Sequence, residues 1–242
     1  MTKCSLRLDA HHSFTDRYPL TSLATILKRN RFDGSILMGE PADFAALPEF
    51  VRGVVIPMDQ VDPRRLDEYQ RDPRFRGLYC PDPPPDALEE LARRNLTLDL
   101  PCLGHIPRIA ARFPSLRLAV VHLGNPTVGT RAGDDWDRWA QDLEAAATFP
   151  QVRVKLSGLV GLAPSPWRPR PQGHPLRPYV QHALAVFGPE RLMFGSGWPA
   201  SLPEHTWKES LAAFTQSIGA QPVEVREQLL GGTAARFYGI QP

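Results

Sequence analysis

Eight short apolar runs, each ending at a glycine, a proline or a polar residue, do most to limit how this chain can fold. Longer stretches with helical periodicity lie between them. Strand-length runs alternating with amphipathic segments read as repeated βα units around a parallel sheet. Strands are expected at residues 5–9, 34–38, 53–57, 77–79, 97–100, 117–122, 152–155 and 192–195. Helices are expected at residues 20–30, 41–50, 63–70, 85–94, 106–113, 134–148, 178–187, 204–218 and 223–230. Pro63 and Pro85 suit first-turn positions, and the acidic Asp134, Asp135 and Asp137 suit a helix start. This pattern predicts one (β/α)8 TIM barrel over residues 1–242, with no repeat, linker or second domain. The alternative, a doubly wound open sheet, usually has fewer strands, and no G-x-G-x-x-G follows the first run.

Composition narrows the function classes. The net charge of +2 comes from 28 basic and 26 acidic residues spread along the chain. No basic tract is present, so nucleic acid is not an expected partner. No apolar run approaches the roughly 20 residues of a membrane span. Residues 1–5 lead into an expected strand rather than a signal segment, and Cys4, Cys80 and Cys102 have no framework spacing. The expectation is a cytoplasmic protein with reduced thiols. Its partner would be a small-molecule substrate, with a homo-oligomer left open. The 26 prolines are about twice the usual frequency and mark stiff loops.

In a barrel, chemistry collects at the C-terminal ends of the strands. Asp9-Ala10-His11-His12-Ser13 closes the first run, and simple alternation puts Asp9, His11 and Ser13 on one face and His12 on the other. His11 is the candidate ligand or proton-transfer group, and His12 is expected to be structural. His122 closes the sixth run in the same way. Lys155, ending the seventh, could hold an anion or polarise a carbonyl at the mouth, or simply be solvated. Asp99, inside an apolar run, needs a partner or a task. His105, Glu40 and Asp59 are reserve candidates. Residues 163–178 hold six prolines with Arg168 and Arg170, and are expected to overhang the mouth, where the arginines could bind a carboxylate. The run Leu192–Gly195 empties into Ser196-Gly197-Trp198-Pro199, a small-residue loop without a carboxylate, imidazole or thiol.

Taken together, these motifs resemble the amidohydrolase superfamily, in its amidohydrolase-2, lactonase-like branch. They are Asp9-Ala10-His11-x-x-Phe14, residues 95–99, Val121-His122-Leu123-Gly124-x-Pro126, residues 154–158 and residues 187–199. The resemblance implies a TIM barrel with a His-x-His pair after the first strand, a His after the sixth and a water-activating Asp after the eighth. It also implies a carboxylate-binding arginine after the fourth strand; some members hold one divalent metal and several lactonases none. This sequence departs at Ser13, Tyr79 and Gly197, which stand for the second His, the arginine and the Asp. Losing an imidazole and a carboxylate implies no metal and no cofactor, and removes the usual water activator.

The resulting expectation is a metal-independent enzyme on a small cyclic carboxylated substrate. His11, His122 and Lys155 would be catalytic. Asp99, Tyr79, Trp198, Ser13, Gly197, Arg168 and Arg170 would contact substrate. The reaction is lactone hydrolysis or another proton-transfer reaction, namely cyclisation, isomerisation, dehydration or decarboxylation. The competing expectation is a barrel that binds or scaffolds without turnover.

Overall fold

The computed structural model describes residues 6–61, 65–128, 134–163, 175–200, 202 and 205–241. Its sheet has eight strands in sequence order: β1 (Leu8–His12), β2 (Gly34–Met38), β3 (Val51–Pro57), β4 (Phe75–Tyr79), β5 (Thr97–Leu100), β6 (Arg117–Val120), β7 (Val152–Ser157) and β8 (Leu192–Gly195). Every neighbouring pair is parallel. β1 and β8 meet at the mouth, where the Gly197 amide donates to His11 O and the Ser13 amide to Trp198 O, each at 2.8 Å. These bonds bring the first and last strands together, and the fold is the expected (β/α)8 barrel.

The apolar residues sort into two layers. Leu8, Ala10, Ile36, Met38, Val55, Ala119 and Met193 fill the barrel's interior. Leu37, Val54, Ile56, Leu78, Leu98, Leu118, Val120, Val154, Leu156 and Phe194 face the helices. Strands buried on both faces show as continuous apolar runs, and this made them legible.

Around the sheet run α1 (Leu20–Arg29), α2 (Leu66–Tyr69), α3 (Pro85–Arg93), α4 (Ile106–Arg112), α5 (Asp134–Ala147), α6 (Leu159–Leu162), α7 (Arg177–Phe187), α8 (Trp207–Ile218), α9 (Val223–Glu227) and α10 (Thr233–Tyr238). A capping box opens α8: the Glu209 amide donates to Thr206 Oγ1, and the Thr206 amide to Glu209 Oε2. No helix among the described residues is long and apolar enough to cross a membrane.

Three expectations need correction. The first strand starts at Leu8, three residues later than expected, because its ladder with β2 begins at Leu8 opposite Gly34. Residues 41–50 form turns rather than a helix. Asp43 Oδ1 accepts from the Ala45 amide, and Arg74 donates to the carbonyls of Phe44 and Leu47, while Pro48 cannot continue a helical ladder. The last expected helix, 223–230, stops as α9 at Glu227 and passes into a wider turn at Gln228–Gly232, and a further helix, α10, follows it. Gly231 presses on β1, and a Cβ there would lie 2.0 Å from Leu6 O. The wide turn lets α10 swing under the barrel and plug its floor with Phe237, Tyr238 and Ile240.

Candidate active site

A β-bulge decides which histidine enters the barrel. Asp9 pairs with Ser35 and His12 with Leu37, so three steps along β1 match two along β2. The extra residue breaks alternation. Asp9 therefore faces outward, where its Oδ2 accepts from Trp207 Nε1 on α8 at 2.8 Å. Its Oδ1 accepts from the Ser196 amide at 2.8 Å and the His11 amide at 3.2 Å. His11 turns inward, so it does not share a face with Asp9 as alternation had implied. His12 is buried behind the sheet, with Nε2 at 2.9 Å from Ser35 Oγ and Nδ1 at 3.2 Å from Ser13 O, as befits a structural residue.

His122 leaves β6 in a left-handed turn. His122, Leu123, Gly124 and Asn125 have φ values of 51°, 55°, 72° and 51°. Non-glycine residues rarely adopt this region, and a run of them is strained backbone held by its surroundings. Trp139 Nε1 clamps it by donating to Leu123 O at 2.9 Å. Ser157, at the top of β7, completes the arrangement. Its Oγ accepts from the His122 amide and lies 3.1 Å from His122 Nδ1, leaving Nε2 as the ring's second nitrogen. The imidazoles of His11 and His122 then stand with centroids 4.5 Å apart and planes at 59°. His11 Nδ1 is buried without a hydrogen-bond partner. Burial pushes the His11 imidazole well below the ordinary range, helped by His122 and Lys155, and burial lowers His122 too. Both rings are neutral near pH 7.

Lys155 lies one layer below, because β7 continues two residues past it. It is fully buried, not solvated at the rim, and its Nζ is 2.5 Å from Asp99 Oδ2 and 3.5 Å from Met38 Sδ. Asp99 also accepts from Tyr238 OH at 3.1 and 3.0 Å, and Lys155 Nζ sits 5.2 Å from the Tyr238 ring centre. Burial pushes the Asp99 carboxyl up and the Lys155 ammonium down, and each partner's opposite charge works against that push. Asp99 thus has both a partner and a place beneath the imidazoles.

The other candidates divide. Tyr79 is half-buried beside Asp99 in the β4–β5 register, and Ser13 is half-buried at the β1 exit. Trp198 is buried, its ring edge-on to Tyr18. Gly197 (φ +71°) does not open space: a Cβ there would meet Gly158 Cα at 3.0 Å. Arg168 and Arg170 lie outside the described residues. Glu40 is held by Tyr69 OH and, at 3.0 Å, by Arg65, while Asp59 is exposed. His105 faces the outer Asp82 at 3.9 Å. Sequence reasoning missed Tyr238, and it missed Ser157 as the partner of His122. Ser157 was findable, since it follows Lys155 at the period that keeps a strand residue on one face.

The model for the family described as amidohydrolase matches residues 45–240. The chain belongs to the amidohydrolase family. This amidohydrolase is 29% identical to an L-fucono-1,5-lactonase of Burkholderia ambifaria over 226 residues, covering 82% of this chain and 74% of the other. It is 36% identical to an L-fucono-1,5-lactonase of Burkholderia multivorans over 145 residues, which span 57% of this chain and 48% of that one. A crystal structure of an amidohydrolase from Burkholderia multivorans with bound HEPES superposes with a TM-score of 0.82 at 25% identity, over 98% of this chain and 100% of the other. A second crystal form with bound zinc gives 0.81 at 24% identity, over 98% and 100% of the two chains.

Among the described residues, the donor groups at the mouth do not make up a three-ligand site for such a metal: no three His, Cys, Asp or Glu side chains come together to hold an ion. The mouth offers two imidazoles beside a lysine, and both oxygens of the neighbouring Asp9 already accept hydrogen bonds.

Proposed function

We propose that this amidohydrolase opens a small cyclic ester by hydrolysis without a metal, with the imidazole pair replacing the family's carboxylate. The observation that carries the reading is the contact between two partly buried imidazoles with lowered pKa, one of them held by Ser157. A neutral imidazole is a competent base near neutral pH. His122 Nε2 takes a proton from water as the water oxygen adds to the lactone carbonyl carbon. The ring C–O bond then breaks, and the imidazolium returns the proton to the departing alkoxide. The product is the open hydroxy acid.

His11, with its unpartnered Nδ1, donates to the carbonyl oxygen as negative charge gathers there. Lys155 supplies positive field from the layer below. Tyr79 and Ser13 touch the substrate, while Gly197 and Trp198 build the wall behind it. A substrate carboxylate would fall to Arg168 and Arg170, since Lys155 already answers Asp99.

The relatives named as L-fucono-1,5-lactonases make that lactone the first substrate to try, followed by other sugar lactones and carboxylated lactones. Proton release at neutral pH, measured on chelator-dialysed protein, is expected to exceed the spontaneous rate and to collapse in His122→Ala. Absence of turnover across the panel sinks the proposal. The resemblance supports a second reading, a barrel that binds without turnover, since it implies that Ser13 and Gly197 stand for two catalytic groups of the family. In that case small lactones or acids raise the melting temperature while no ring opens. About one bound zinc or manganese per chain in elemental analysis would overturn the metal-free mechanism.

A further inference from the structure

The floor of the barrel, opposite the mouth, carries a concentration of positive charge. Arg52, Arg76, Arg117 and Arg153 sit near the starts of β3, β4, β6 and β7, and Arg191 immediately precedes β8. Most of them cap backbone carbonyls. Arg117 donates to Phe237 O and, at 2.6 Å, to Asn95 O; Arg52 donates to Gln241 O at 2.7 Å; Arg191 donates to Phe187 O at 2.9 Å. The ion pairs among the described residues lie elsewhere, apart from Arg74, which is taken by Asp72 at 2.7 Å.

Arg76 differs from the rest. Its side chain makes no hydrogen bond and no ion pair among the described residues, and its Nε is buried without a partner, as is the Nε of neighbouring Arg117. Both guanidiniums are about half-buried, and burial pushes both below the ordinary arginine range; the Arg117 charge lowers Arg76 further, and Asp72, itself paired with Arg74, offsets part of this from a distance. Arg76 lines a cavity of about 420 Å³ together with Arg52, Arg74, Gly239 and Gln241. The one carboxylate on its wall, Glu49, is exposed and pairs with none of these arginines. A partly desolvated guanidinium with an unmet donor and no direct ion pair is costly unless an anion answers it. Its planar fork of donors matches an oxyanion.

We propose that this floor cavity is a binding site for a small dianionic oxyanion of phosphate type, free or as the end of a phosphate monoester, held by Arg76 with Arg52. The site lies at the opposite end of the barrel from the imidazole pair. A bound anion would neutralise the floor and tie the segment after α10 to β3 and β4.

The test uses the whole protein at constant ionic strength, with inorganic phosphate, glycerol 1-phosphate and acetate added in turn against a potassium chloride control. Phosphate is expected to raise the melting temperature in a saturable way, with one site by calorimetry, and acetate to do far less. A response to glycerol 1-phosphate equal to or larger than that to phosphate assigns the site to monoesters; a smaller one assigns it to the free ion. Arg76→Met and, as a second variant, Arg52→Met should abolish or sharply weaken the effect while keeping the far-ultraviolet circular dichroism of the parent. His122→Asn, at the mouth, should retain it. The idea is overturned if phosphate acts no more than chloride, if both arginine variants respond like the parent, or if His122→Asn removes the response.

Discussion

His11 and His122 reach each other from the first and sixth strands of the barrel, with ring centroids 4.5 Å apart and His122 Nδ1 within 3.1 Å of Ser157 Oγ. The proposed chemistry rests on that contact. If these rings carry acid–base chemistry, His122→Ala and His11→Ala should each lower kcat/KM for lactone hydrolysis by about 10²–10⁴-fold. Steady-state kinetics on variants with parental circular dichroism check this.

The pH profile of the same reaction follows from burial of the rings. Both imidazoles are held below 6.5, so the base stays neutral as pH falls to that value. The acid limb of kcat/KM is expected below pH 6.5. A limb centred at or above the ordinary imidazole value would contradict the assignment.

Stability should respond to the same shifts. His11, His12 and His122 all have lowered folded values, so the unfolded chain takes up protons near pH 6.5 before the folded one does. Stability is therefore full above pH 6.5 and is lost as pH falls from there towards the folded values. The slope is at most about 1.4 kcal/mol per pH unit for each ring. Urea midpoints measured from pH 7.5 to 5 should fall on the acid side, and a flat profile would count against the burial of these rings.

Beneath the mouth, Lys155 and Asp99 form a buried pair at 2.5 Å. Removing one charge leaves the other stranded, at a cost of about 3–5 kcal/mol. Lys155→Met and Asp99→Leu should each be destabilised on that scale in urea titrations, and the double variant should recover part of the loss.

Gly158 and Gly197 pack against the site from behind. A Cβ on Gly158 (φ +62°) would lie 2.8 Å from His122 Nδ1, and one on Gly197 would strike Gly158. Gly158→Ala should lower kcat more than it lowers stability, because it displaces the imidazole from Ser157. Gly197→Asp should destabilise by about 1–3 kcal/mol through its left-handed backbone. It should not confer zinc binding by itself, as calorimetric titration with zinc would show.

The alternation of apolar runs and helical segments determined the barrel by itself. β2, β5 and β8 lie at the residues expected, because strands buried on both faces must be apolar throughout. The motifs also named His11 and His122. The tertiary structure decided where those residues point and what they meet. The bulge that turns His11 inward depends on pairing with β2, and the Lys155 charge is answered by Asp99 and Tyr238 from two other parts of the chain. Asp9 meets Trp207 across 198 residues. Local periodicity records which face of an element is apolar, but not which distant polar group will meet it once the barrel closes.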